Sequence, residues 1–193
     1  MPEQPHPPPR LGSLCTGYGG LDMAAEQLFG ARTEWIADPA PGPSKILAHN
    51  MPAVPNLGDL HAIDWQHTPP VDILTTGFPC QPVSAAGRRH GTRDRWLFQD
   101  ILDGVRRLPE PPALLLFENV RGLLTANQGD AMRNVVRGLA ELGLLARWRV
   151  LRASDVGAPH QRPRVWITAA DPVRVKTTPG AVPPRNGGRR GTT

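Results

Sequence analysis

Apolar and polar residues along this 193-residue chain recur with two periods in turn, predicting strands that alternate with helices. From Leu11 an apolar segment, LGSLCT, enters a glycine-rich turn at Gly17 to Gly20, and a helical stretch follows from Leu21 to Phe29. A second strand, Glu34 to Ala37, stops at Asp38 and Pro39, and a helix is predicted over Ser44 to Asn50. Asn56 to Leu60 reads as a short third strand and Val71 to Thr75 as a fourth, ending at the loop GFPCQPVSAAGRRHGTRDR. A helix from Trp96 to Arg107 is broken by Pro109 to Pro112. The apolar run Ala113 to Phe117 is the fifth strand and ends at Glu118; Met132, Val135, Val136, Leu139 and Leu142 then mark one face of a helix over Asp130 to Leu142. Leu145 to Arg152 and Arg164 to Ala169 are β-rich, flank a loop, and are predicted to pair as a hairpin. The expected fold class is α/β: a doubly wound, mostly parallel sheet with helices on both faces, closed by a C-terminal antiparallel hairpin. The chemically distinctive residues fall where strands end, the edge at which open α/β sheets bind ligands.

Composition narrows the class. The length suits one domain, and 39% hydrophobic residues are enough for a packed core. No apolar stretch approaches membrane-spanning length, so no membrane partner is expected. The N-terminal MPEQPHPPPR lacks the apolar segment of a signal peptide. Two cysteines, Cys15 and Cys80, give no disulfide framework, which points to a reducing, cytoplasmic setting. The net charge of +5 is uneven: residues 171–193 carry +4 of it in a Pro/Gly/Thr-rich stretch. The expected organisation is a flexible leader over 1–10, a catalytic domain over 11–170, and a disordered basic tail over 171–193. Such a tail suits non-specific phosphate contacts or simple solubility equally well. No metal is expected.

Four constellations carry candidate chemistry. Glycines 17, 19 and 20 after a strand let backbone amides approach a ligand beside a helix N-terminus, though many α/β proteins have such a turn. It is not an NTPase phosphate loop, because no Gly-Lys-Ser/Thr follows. Asp38 and Asp59 end the next two strands, where an acid suits a ribose hydroxyl pair and an adenine amino group respectively, or simply caps a turn. In GFPCQP, Pro79 fixes the backbone beside Cys80, and Arg88, Arg89, Arg93 and Arg95 follow closely enough to favour a thiolate; Cys15 reads as a buried small hydrophobe. In LLLFENV, Glu118 follows five apolar residues, where partial burial would raise its pKa and let it share a proton with a ring nitrogen. In HQRPRVW, Arg162 and Arg164 alternate onto one face of a strand start and suit a phosphate or a base carbonyl.

The series SLCTGYGGLD, GDL, DILTTGFPCQPVSAAG, LLLFENVRG and GAPHQRPRVW resembles the DNA cytosine-5 methyltransferase family in order and spacing, over roughly Leu11 to Ala170. The resemblance implies a Rossmann-like domain that binds S-adenosyl-L-methionine and acts on double-stranded DNA. By the same resemblance, Cys80 is the nucleophile that adds to C6 of a flipped cytosine. Glu118 binds ring N3 and the amino group, Arg164 holds the base carbonyl, and Arg162 supports the site. The cofactor site implied comprises Leu14, Cys15, Thr16, Gly17, Gly19, Gly20, Asp38, Asp59, Leu60, Pro79 and Leu97.

Several positions depart from the family pattern. Cys15 stands where Phe is usual, Pro39 for Trp, Asp38 for Glu, Ser13 for Asp and His160 for Gln; the two lost aromatics normally pack on adenine. Family members usually continue past HQRPR into a target-recognition domain and a returning segment. Their absence here implies either a second polypeptide that supplies them or a shortened, non-catalytic relative. An RNA cytosine methyltransferase is a further alternative, which Phe78 before Pro79-Cys80 disfavours because that branch usually has Pro-Pro-Cys.

Overall fold

The computed structural model describes residues 7–79 and 96–176. Six strands form one sheet: β1 (Arg10–Leu14), β2 (Arg32–Ala37), β3 (Ile73–Thr76), β4 (Leu114–Val120), β5 (Leu145–Leu151) and β6 (Arg164–Ala170). Their order is β2-β1-β3-β4-β6-β5. The first four run parallel, while β6 is antiparallel to both β4 and β5, which gives the expected doubly wound sheet and closing hairpin. The helices are α1 (Gly20–Phe29), α2 (Pro41–Asn50), α3 (Leu97–Arg107) and α4 (Asp130–Glu141).

Alternate residues of β4 separate the two faces. Leu115 and Phe117 pack with Phe98, Ile101 and Leu102 of α3, Val135 and Leu139 of α4, and Val165 and Ile167 of β6 in the main core. Leu114 and Leu116 point the other way, toward a smaller cluster that includes Leu11, Ile73 and Ala25 of α1. Among the described residues the cover on that second face is incomplete. An apolar groove of about 720 Å³ runs between α1 and strands β4, β6 and β5, lined by residues such as Leu21, Leu28, Leu116, Leu145, Trp166 and Ala170. Leu28 and Leu145 are both 66% exposed.

The expected third strand is not formed as such. Asn56 makes a single parallel bridge to Ile36, and Leu60–Ala62 is a turn of 3-10 helix with Asp59 at its N-cap. The reason is local: Asn56 Oδ1 accepts from the amides of Asp38 and Gly58, and its Nδ2 donates to the Asp38 carbonyl, so side-chain bonds replace a ladder. Strand β4 also runs farther than its apolar run, carrying Glu118 and Asn119 inside the ladder opposite Trp166 and Val165. At the start of the fold, Arg10 already belongs to β1 and pairs with Asp72 at 3.1 Å. Beyond β6, Asp171 accepts from the amides of Val173 and Arg174, leading into a short 3-10 turn. Among the described residues no helix is long and apolar enough to cross a membrane.

Candidate active site

The site is assembled where β1, β3 and β4 end. After Leu14 the chain turns through Cys15 (φ 50°), Gly17 (φ 58°) and Gly19 (φ 79°) into α1. Repeated left-handed backbone explains why glycine dominates this turn. Asp38 holds it in place: Oδ2 accepts from the Gly17 amide at 2.8 Å, and Oδ1 from the Ala40 amide at 2.9 Å. Thr16 braces the same junction, its hydroxyl accepting from the Ala37 amide at 3.3 Å.

A cavity of about 610 Å³ opens beside this turn. It brings together Cys15, Thr16, Gly17, Gly20, Glu118, Arg162 and Arg164 of the residues expected from sequence. Ser13, Asp22, Arg152 and Trp166 also line it. Glu118 meets Arg164 in a 2.7 Å ion pair, with both side chains largely buried, at 28% and 20% exposure. The burial of that carboxylate is therefore matched by a fixed cation, a planar donor beside an acceptor in one wall. Arg162 precedes the strand rather than sharing its face; it holds φ 36° ahead of Pro163, a conformation rarely taken by a non-glycine residue.

The remaining expected residues do not line this cavity. Leu14 is fully buried and offers only its backbone; Leu60 and Leu97 pack in or against the main core. Asp59 is half exposed and accepts from the His61 amide at 3.0 Å, with the His61 ring 2.9 Å away. That hydrogen bond raises the His61 pKa, and Asp100 on its other side adds to the effect. Pro79 is exposed at the end of the described β3 loop. Cys80 and the arginines at 88, 89, 93 and 95 lie outside the described residues.

What leads to Cys80 is nevertheless well defined. Phe78 is 2% exposed within an aromatic cluster of Trp96, Phe98 and Phe117. The buried Asn119 donates from Nδ2 to the Phe78 carbonyl at 2.8 Å. The residue after Glu118 thus pins the segment that enters the Cys80 loop. Cys15 lines the cavity half-buried, and burial, reinforced by the nearby Asp38 charge, pushes its thiol pKa up to about 11.

Sequence reasoning passed over Asp22. It lies in the first turn of α1, yet is 1% exposed, with its side chain turned toward β1 and β3 and joined to the Thr75 hydroxyl. The available signal was its spacing, three residues before the buried Ala25 on the inward side of the helix.

A family model described as C-5 cytosine-specific DNA methylase matches residues 10–184. The Type II methyltransferase M.NgoBI of Neisseria gonorrhoeae is 34% identical over 156 residues, covering 80% of this chain and 48% of that protein. M.BanI of Aneurinibacillus aneurinilyticus, also a Type II methyltransferase, is 40% identical over 162 residues, covering 80% and 36% respectively. Among solved structures, a Spodoptera frugiperda DNMT2 variant superposes with a TM-score of 0.67 at 22% identity, covering 85% of this chain and 50% of its own. The chain therefore spans half or less of the length of these relatives.

Proposed function

Because the chain belongs to the C-5 cytosine-specific DNA methylase family, we propose that residues 11–170 form a catalytic domain that transfers a methyl group from S-adenosyl-L-methionine to C5 of cytosine in double-stranded DNA. The observation that carries this reading is the Glu118–Arg164 pair, set in one cavity with the glycine turn. A flipped cytosine presents an acceptor carbonyl beside ring N3 and an amino group, and a carboxyl next to a guanidinium matches that edge. Glu118 in its carboxylic acid form would donate its proton to N3 and accept from the amino group, drawing electron density from the ring, while Arg164 would donate to the carbonyl. Cys80 adds to C6, and Asn119 fixes the backbone that delivers it. Arg162 and Arg152 add positive charge at the cavity rim.

The chain's residues fit the cofactor. Gly17 and Gly20 give backbone access at the start of α1, and Asp22 lines the same cavity, with one buried carboxylate oxygen that has no hydrogen-bond partner among the described residues. Leu14, Cys15, Thr16 and Gly19 shape the turn that Asp38 braces, and Asp59, Leu60, Pro79 and Leu97 complete the proposed cofactor set. When bound, S-adenosyl-L-methionine supplies an electrophilic methyl group.

A further polypeptide carrying target recognition is part of this proposal, and the apolar groove across β4, β6 and β5 supports it. Among the described residues Leu28 and Leu145 stay exposed along this groove, and a contiguous exposed apolar patch is what a protein partner covers.

The test is covalent trapping. A short oligonucleotide carries 5-fluorocytosine at a mismatch, where flipping costs little, and is incubated with the full chain and cofactor. Fluorine cannot leave C5 as a proton does, so the Cys80–C6 bond persists and mass spectrometry reads the adduct. We expect an adduct with the natural chain and with Cys15→Ala, and none with Cys80→Ala. No adduct at all, or one that survives Cys80→Ala, would refute the mechanism.

A further inference from the structure

Two arginines at the β5 edge of the sheet stand without carboxylates. Elsewhere Arg10, Arg32, Arg106 and Arg133 each meet an acidic side chain, and Arg164 meets Glu118. Arg149 and Arg152 are exposed and have no ion pair among the described residues. Asp155, the acid nearest to Arg152 in sequence, is engaged otherwise: its Oδ2 accepts from the Arg152 main-chain amide at 2.8 Å. Nor is the whole chain basic. Residues 171–193 carry +4 of the net +5, so what precedes them is close to neutral.

Strand register puts both arginines beside the Glu118–Arg164 pair. Arg149 stands opposite Trp166, and Trp166 opposite Glu118, in one row across β5, β6 and β4. Side chains directly opposite on antiparallel strands share a face, with Cβ atoms about 4.5–5.5 Å apart. Arg149 is therefore two strands from Glu118 on the same face. In the next row Leu151 is opposite Arg164, and both line the cavity. Arg152 follows at once and lines it too. The backbone is held there, because the Ala153 amide donates to the Gln161 carbonyl at 2.7 Å and closes the loop that leads to Arg162.

A nucleotide leaving a duplex rotates about its own backbone. Its base enters the pocket, while the phosphates on either side stay outside and are drawn toward the rim. Each is an anion that a guanidinium can meet with two N–H donors. We propose that Arg149 and Arg152 hold the two phosphates flanking the flipped cytosine, fixing the strand over the cavity without reading its sequence. Leu151, 41% exposed between them, offers an apolar surface to the deoxyribose. The inference rests on the reading of Glu118 and Arg164 as the cytosine site.

The test is the salt dependence of DNA binding by the full 193-residue chain. The probe is a short duplex with a mismatched cytosine, and fluorescence anisotropy gives its affinity from about 50 to 200 mM salt. Arg149→Gln and Arg152→Gln should each lower the slope of log affinity against log salt by about 0.9, and the double variant by about twice that. Arg32→Gln, on the opposite edge strand β2, should leave the slope unchanged. A second duplex carries uncharged methylphosphonates at the two positions flanking the cytosine. It should bind the natural chain several-fold more weakly than the first duplex does, and the double variant about equally. Unchanged slopes in the Arg149 and Arg152 variants, or an equal fall in Arg32→Gln, would overturn the proposal. So would a methylphosphonate penalty that persists in the double variant. If the natural chain binds no DNA at any salt, the cytosine-site reading fails, and this proposal with it.

Discussion

Asn119→Ala should destabilise the chain well beyond the loss of one side chain. Asn119 is 2% exposed and bridges two backbone groups, the Phe78 carbonyl and the Val120 amide, each at 2.8 Å. After truncation the Phe78 carbonyl is left without a donor inside the aromatic cluster, at about 1–3 kcal/mol, while the Val120 amide can reach water and adds about 1 kcal/mol. The total is about 2–4 kcal/mol, which for a chain of this size lowers the melting temperature by about 5–15 °C. Asn119→Asp probes the same bond through pH. Its new carboxyl faces a carbonyl oxygen in a buried place, so its folded pKa is raised above the unfolded value of about 3.9. The neutral form donates to Phe78, so that stabilisation is fully present below the unfolded pKa and is lost as pH rises through the folded pKa. The deficit relative to the natural chain should therefore be small near pH 4 and grow by up to about 1.4 kcal/mol per pH unit above it. Calorimetric melting of the three proteins across pH 4 to about 8 measures this. An Ala variant within about 2 °C of the natural chain, or an Asp deficit independent of pH, would refute the reasoning.

Gly12→Ala should cost about 1–3 kcal/mol, because the added Cβ would lie 2.4 Å from the fully buried Trp35 ring; an unchanged or raised melting temperature would contradict that close approach. Alkylation of Cys15 by iodoacetamide should be slow at neutral pH and accelerate about tenfold per pH unit toward its raised pKa of about 11. Peptide mass spectrometry reads the site, and rapid labelling at neutral pH would be the contrary result. Burial of Asp72 is outweighed by hydrogen bonds from the Arg10 side chain and amide, which hold its pKa below the usual carboxylate value. Its stabilisation is present above the unfolded pKa and lost as pH falls through the folded one, so Asp72→Asn should trail the natural chain at neutral pH and converge with it toward about pH 3. A gap that persists under acid would count against this.

The sheet was legible wherever an apolar run met a strong stop. The run through Leu14 ends at a glycine turn, that through Ala37 ends at Asp38-Pro39, and the β5–β6 pair brackets a polar loop. Reading failed where side chains took over backbone work. Asn56 satisfies Asp38 and Gly58 by itself, so an expected strand shrinks to one bridge. Glu118 and Asn119 looked like strand-end residues because they are polar, yet β6 supplies partners that carry β4 onward. Glu118, Arg162 and Arg164 were identified by local pattern. Their convergence on one cavity depends on strand pairing, and the expected shared face for Arg162 gave way to a left-handed backbone at that residue. For Asp22 the helical spacing to Ala25 could mark an inward side, but its partner Thr75, 53 residues away, could not be read locally.

Trp166 has one more property. It lines both the cavity that holds Glu118 and Arg164 and the apolar groove beside α1, as Leu21 of α1 also does. The two compartments thus share part of a wall. If covering the groove shifts the Trp166 ring, affinity in the cavity changes by some factor, and a ligand in the cavity must change the affinity of the covering polypeptide by the same factor. The reciprocity is thermodynamic and needs no larger rearrangement of the sheet. The two compartments would then be adjusted together, and a substitution at Trp166 would register in both.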